Sequence, residues 1–253
     1  MSNVQRGRVP SPRDADEAPL TTGALVLHGF TSSFDTVSGL LPHLERAGIP
    51  YRMPSLRGHN QASPAALRGV KYRDWIADGA AALADLLTEV DMVVPVGLSM
   101  GGLVALTLAQ EQPDRLAGVV SVATALRLRD PLAPLSPYIA WMFPRFQAPR
   151  PPQDADYVST NYQWFPGSAG AELYRFGLLV EARLWQVTMP ILVIGSERDT
   201  VVKPESARII YDRVSSGAKK LVMLTRTDHE MMQGCEKESV FELIVDFFRT
   251  LGT

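Results

Sequence analysis

The sequence predicts an α/β fold, a mostly parallel, doubly wound sheet with helices on both faces and one insertion. Three observations carry that prediction. Short, continuous apolar runs at 24–27, 92–96 and 191–194 read as strands buried on both faces. Stretches of helical periodicity alternate with them, as parallel crossover units require. The alternation breaks once, in a proline-dense stretch from 124 to 185, and then resumes.

Taken in order, residues 1–20 mix arginines, acids and prolines without an apolar run. They read as a flexible tail and not as a secretory leader. Residues 24–27 (ALVL) form a strand ending at His28-Gly29. A helix is expected over about 36–47, with Leu40, Leu41 and Leu44 on one face and Gly48 as its stop. Residues 51–53 read as a short strand, followed by the polar loop LRGHNQASP. Over 72–89, Trp75, Ile76, Ala80, Leu83 and Leu87 recur at helical spacing. Residues 92–96 are a strand, 103–110 a helix stopped by Pro113, and 116–122 a strand. The uncharged run 92–110 is long enough to span a bilayer, but Pro95 and glycines 97, 101 and 102 divide it into strand, turn and helix. After the break come a strand at 191–194, a helix at 204–214, a strand at 221–224 and a closing helix at 237–251. The expected organisation is a core of 21–123 and 186–253, with 124–185 inserted as a cap.

Composition narrows the functional classes. The 253 residues carry a net charge of −2, with 46% hydrophobic and 21% charged side chains. That leaves no basic footprint for nucleic acid or an anionic membrane. A single cysteine, Cys235, excludes an intrachain disulfide and fits a cytoplasmic location. Its neighbours Glu236 and Glu238 would raise a thiol, so it reads as inert. No phosphate loop and no metal-binding spacing of His or Cys occurs, so neither cofactor nor metal is expected.

The chemistry-bearing motif is Gly97-Leu98-Ser99-Met100-Gly101. The pattern alone is weak, but here a strand runs into it and a helix runs out. That is the setting of a nucleophile elbow. A serine on such a turn needs small residues two before and two after it, and the following helix turns its positive end toward a developing oxyanion.

A serine hydroxyl needs a base. Of the four histidines, His28 ends the first strand, His43 lies on a helix, and His59 sits in the polar loop. His229 follows the last strand, on the sheet edge where strand C-termini gather. The acid should lie between Ser99 and His229 along the chain. The loop after 191–194 offers Glu197 and Asp199, of which Asp199, farther from the strand, is favoured. Asp228 is disfavoured because adjacent side chains diverge. The oxyanion donors expected are the backbone N–H groups of Met100 and Phe30, with His28 structural.

With these residues assembled, the chain resembles the α/β-hydrolase superfamily, and within it bacterial carboxylesterases and monoacylglycerol lipases. The resemblance runs from about Gly23 to the C-terminus. It rests on LVLHGFTSS at 25–33, LRGHN at 56–60, YRDW at 72–75, GLSMGG at 97–102, PILVIGSERDTVVKPESARIIYDRV at 190–214, and the late His229. It implies Ser99 as nucleophile, Asp199 as acid, His229 as base, and Phe30 and Met100 as oxyanion donors. One departure is that the usual Gly-His pair is Asp228-His229-Glu230 here, which sets extra charge beside the base.

The function expected is hydrolysis of short- to medium-chain carboxylic esters through an acyl-enzyme. Monoacylglycerol lipase, thioesterase or another acyl hydrolase on the same fold is the alternative, and a non-catalytic receptor is disfavoured by the intact serine motif. Trp141, Phe143, Phe146 and Trp164 are expected to line an acyl pocket, with Tyr138, Met142 and Phe165 near them. The partner expected is a small-molecule ester, and the sequence does not fix the oligomeric state.

Overall fold

Alternation within each strand decides the layering. The computed structural model describes residues 4–6, 21–140, 142, 144–149 and 157–252. Strand β1 (Val4–Arg6) precedes β2 (Thr22–Leu27), the short helices α1 (Asp35–Ser38) and α2 (Leu41–Arg46), and β3 (Tyr51–Pro54). Helix α3 (Tyr72–Leu86) leads to β4 (Met92–Leu98), α4 (Met100–Glu111) and β5 (Val119–Val122). Then come α5 (Ser136–Ile139), the two-residue strands β6 (Phe146–Gln147) and β7 (Trp164–Phe165), and α6 (Gly167–Ala182). Strand β8 (Ile191–Ser196), α7 (Glu205–Arg213), β9 (Lys219–Leu224) and α8 (Lys237–Leu251) complete the order.

Seven strands make one sheet in the order β1-β3-β2-β4-β5-β8-β9. All its pairings are parallel except β1 on β3. Because side chains alternate between faces, each central strand feeds two cores. Leu25 and Leu27 of β2 and Ile191 and Val193 of β8 join α3, α4, α6 and α7 on one side. Ala24 and Val26, with Leu192 and Ile194, meet α1, α2 and α8 on the other. This is the doubly wound α/β arrangement that the sequence predicts. Among the described residues no helix is long and apolar enough to cross a membrane.

Three local readings need correction. Residues Val4–Arg6, expected within a flexible tail, pair antiparallel with β3, Val4 opposite Pro54. The edge of β3 offers unpaired backbone groups, and a short strand satisfies them without a hydrophobic pattern. The helix expected over 36–47 is two helices, α1 and α2. Pro42 sits in the first turn of α2. It has no N–H, and its ring would clash with the carbonyl of Ser38, where α1 ends. Third, α6 lies within the 124–185 stretch yet packs as a layer helix. Its Phe176 and Val180 are fully buried in the core shared with α4, and a Cβ at Gly177 would stand 2.8 Å from the Leu126 carbonyl oxygen.

Candidate active site

Ser99 closes β4 and precedes α4, with φ 55° and ψ −112°. A non-glycine residue there costs on the order of 1–3 kcal/mol and persists only where its surroundings enforce it. Three glycines supply the room. A Cβ on Gly97 would lie 2.2 Å from the Gly101 carbonyl oxygen, and one on Gly101 2.2 Å from that of Leu27. One on Gly102 would fall 2.0 Å from the Thr124 Oγ1. The Ser99 N–H donates to the Val122 carbonyl, and the Ser99 carbonyl accepts from Ala125. The turn is thus tied to the end of β5.

His229 lies in the loop between β9 and α8. Three bonds hold that loop: the Ser196 hydroxyl at the end of β8 donates to the Thr227 carbonyl, and the Arg226 and Thr227 N–H groups donate to Glu236 at 3.0 and 2.8 Å. The His229 Nε2 is 3.0 Å from the Ser99 Oγ, and its Nδ1 is 2.9 Å from the Asp199 Oδ2. Asp199 Oδ1 accepts from the N–H groups of Val201 and Val202 at 2.9 and 2.7 Å, and Arg129 Nε donates to the Asp199 carbonyl at 2.6 Å. All three side chains of the relay are buried.

Burial pushes the His229 imidazole down. The Asp199 carboxylate, supported by Glu230 and Asp228, outweighs this and raises it above the ordinary imidazole value. Burial alone would raise Asp199, but the charge and hydrogen bond of His229 and the two backbone donors hold it below the usual carboxylate range. Among the described residues, neither Glu197 nor Asp228 hydrogen-bonds to these three side chains. Glu197 is exposed and pairs with Arg208, while Asp228 accepts from the Tyr157 hydroxyl at 3.2 Å.

Phe30 follows Gly29, whose Cβ would come within 3.3 Å of the Ser99 Cβ, so this loop runs close beside the serine. Two histidines fix it. The Thr31 N–H donates to the His59 Nε2, and the Leu56 N–H donates to the His28 Nε2, both at 3.1 Å. The Thr31 carbonyl accepts from the Tyr162 N–H at 2.8 Å. Both imidazoles are fully buried and are pushed down by that burial, His28 to about 4 and His59 to about 3. Both act here as neutral acceptors. His43 lies apart, against Phe241. Met100 opens α4, so its N–H has no acceptor within the helix.

Above Ser99 and His229 lies a cavity of about 400 Å³, within the range of small-molecule sites. Its lining includes the apolar Leu128, Ala133, Phe146, Phe165 and Leu173 and the polar Arg129, Asp130, Asp228, Glu230, Asn161, Ser159 and Tyr157. Of the expected pocket residues, Phe146 lines the cavity and Trp141 and Phe143 lie outside the described residues. Trp164 is not part of the lining. Neighbouring residues of a strand point to opposite faces, so Phe165 turns inward while Trp164 stacks under the Arg145 guanidinium, 4.5 Å from its ring centre. Tyr138 and Met142 are exposed.

Two features of the site had no signal as site residues in the sequence. Asn161 comes from a stretch without periodicity. Its amide donates to the Glu230 Oε1 at 2.8 Å. Glu230 stood out only as a charge beside His229. It is buried and has its carboxyl raised by desolvation, which His229 and Asn161 oppose without cancelling. Cys235 is exposed, its Sγ 3.6 Å from the Thr227 Oγ1.

Comparison with known proteins follows the same lines. A family model described as "alpha/beta hydrolase fold" matches residues 25–174, more than half of the chain, and one described as "Serine aminopeptidase, S33" matches 162–237. The chain is 27% identical over 239 residues to a thermostable monoacylglycerol lipase of Bacillus sp. (strain H-257), covering 94% of this chain and 93% of that one. It is 23% identical over 230 residues to a carboxylesterase of Bacillus subtilis (strain 168), covering 90% and 92%. Among solved structures, one described as "LipS and LipT, two metagenome-derived lipolytic enzymes" aligns with a TM-score of 0.86 at 29% identity, covering 92% of this chain and 95% of that one. The monoacylglycerol lipase of Paleococcus ferrophilus shares the fold, with a TM-score of 0.77 at 15% identity, covering 92% and 98%.

Proposed function

The chain belongs to the α/β-hydrolase fold family, and from that premise we propose that it is a serine hydrolase of short- to medium-chain carboxylic esters. The observation that carries this reading is the hydrogen-bonded series Ser99, His229, Asp199 beneath the cavity. In the proposed reaction His229 Nε2 takes the proton of Ser99 as its oxygen attacks the ester carbonyl. Asp199 fixes the tautomer and stabilises the imidazolium. The N–H groups of Phe30 and Met100 receive the oxyanion. His229 then gives its proton to the departing alkoxide, leaving an acyl-serine and free alcohol. Water, deprotonated by His229, releases the acid and restores the serine.

The apolar residues of the lining support an acyl chain lying against Phe146, Phe165 and Leu173. In this reading the segment between β5 and α6 acts as the cap, and the protein works in the cytoplasm on small dissolved esters. A second reading, monoacylglycerol lipase, draws support from the Bacillus relative of that name and from the polar residues of the lining.

Ser99→Ala should lower turnover of p-nitrophenyl butyrate by several orders of magnitude with the denaturation midpoint retained. It should also abolish labelling by a fluorophosphonate probe. Wild-type-like turnover or labelling in that variant would remove Ser99 from the role.

A further inference from the structure

We propose that Glu230 and Asn161 form the alcohol-side specificity element of this site, selecting esters whose alcohol carries a free hydroxyl. The inference rests on the serine-esterase reading above and deepens it.

Direction comes from the chemistry. The base returns its proton to the leaving oxygen, so the alcohol half of an ester must lie on the His229 side of the scissile bond. The residues flanking His229 are Asp228 and Glu230, and both line the cavity together with Asn161. The alcohol is therefore placed toward these polar residues, and the acyl chain toward the apolar part of the lining.

Hydrogen-bond accounting then singles out two groups. Asn161 Nδ2 donates to Glu230 Oε1 at 2.8 Å. The other oxygen of each side chain, Glu230 Oε2 and Asn161 Oδ1, is buried and has no hydrogen-bond partner among the described residues. Asp228, by contrast, is occupied by the Tyr157 hydroxyl. Leaving a buried polar atom unpaired costs about 1–3 kcal/mol. Two such atoms on bonded neighbours that line the cavity, Glu230 being one residue from His229, are satisfied by a ligand hydroxyl once either side chain turns toward the cavity. A hydroxyl both donates and accepts, so it can satisfy the amide oxygen and the carboxyl together. Desolvation raises the Glu230 carboxyl against the pull of His229 and Asn161, which weakens its attraction for an ammonium relative to a hydroxyl. A site built to bond a hydroxyl rejects the analogue lacking it, because its own polar groups are then stranded.

The test compares kcat/KM for glyceryl 1-monobutyrate and propyl butyrate, which share an acyl chain and differ in the alcohol hydroxyls. The wild-type protein should favour the former by roughly tenfold or more, the scale of one lost hydrogen bond. In Glu230→Met and, separately, Asn161→Ala, that ratio should fall toward one, whatever common factor either variant imposes on both esters. Glu230→Gln, which keeps a donor and an acceptor, should retain most of the preference. A wild-type ratio near one overturns the proposal while leaving the esterase reading intact, and points to a bound water at these atoms. A ratio preserved in both Glu230→Met and Asn161→Ala overturns it likewise. A preference for butyrylcholine over the monobutyrate would replace the hydroxyl by a cation. Turnover of none of these esters would remove the esterase reading, and this proposal with it.

Discussion

At His229 two demands on one imidazole run in opposite directions with pH. Its folded-state pKa is raised above 6.5, against the pull of burial, chiefly by the Asp199 carboxylate, with Glu230 and Asp228 adding to it. The stability gained from that pairing is fully present below the unfolded value and is lost as pH rises through the folded one. The base function proposed for it needs the neutral ring and so appears over that same rise. The acid limb of kcat/KM for p-nitrophenyl butyrate should therefore have its midpoint above about 6.5, the ordinary imidazole value. Asp199→Asn should shift that midpoint downward and cut turnover by about 10⁴-fold, as removal of the acid does in serine proteases. A wild-type midpoint at or below the free-imidazole value would contradict the assignment of His229 as an acid-supported base. The meeting of Ser99, Asp199 and His229 was legible because each follows a strand, and parallel strands bring their C-terminal ends to one edge. The choice of Asp199 over Glu197 rested only on distance along the loop. Its physical basis is the Val201 and Val202 amides, which orient Asp199 inward while Glu197 turns to Arg208. Asn161 was not legible, since nothing in a proline-rich stretch says which side chain folds back over the sheet.

Between single residues and the sheet lie the connecting loops, and here two histidines act as a reciprocal clamp. His28, at the end of β2, accepts from the loop after β3, and His59, in that loop, accepts from Thr31 beside Phe30. Each must stay neutral at Nε2 to do so. Burial depresses His28 to about 4 and His59 to about 3. A depressed group contributes stability that is present above the unfolded value, near 6.5, and lost as pH falls through the folded one. The unfolding free energy should therefore drop by on the order of several kcal/mol between about pH 6.5 and 4. His59→Gln, which can keep an acceptor facing Thr31 without titrating, should flatten part of that slope in urea midpoints measured across the range. An unchanged acid slope in this variant would show that the clamp does not carry it. The loop sequences LHGFT and LRGHN displayed both histidines, but no periodicity links two loops 28 residues apart. The same blindness split the helix expected over 36–47, where Pro42 outweighed a sound apolar face. It also hid α6, whose Ala169, Leu173, Phe176 and Val180 keep helical spacing behind a run of prolines.

At the scale of the molecule, the double-sided strands that announced the fold also divide its stability. Doubly buried strands read as unbroken apolar runs, and for that reason the order of strands was legible from β2 to β5 and again from β8 to β9. The edge strand β1 was not, because three residues bonded on one side need no pattern at all. The sheet separates two cores that share no side chain. Ile210 of α7 is buried in one and Ile244 of α8 in the other. Ile→Val in a packed core typically costs about 0.5–1.5 kcal/mol. Groups that lie apart without common contacts add to within roughly 0.5 kcal/mol. Ile210→Val and Ile244→Val should each destabilise by that amount, and the double variant by their sum, in equilibrium urea unfolding at neutral pH. Coupling well beyond that margin would mean that the sheet transmits strain between its faces. Then Ser99, on the turn where β4 enters α4, would feel changes in either core, and its strained backbone would be the place to look for them.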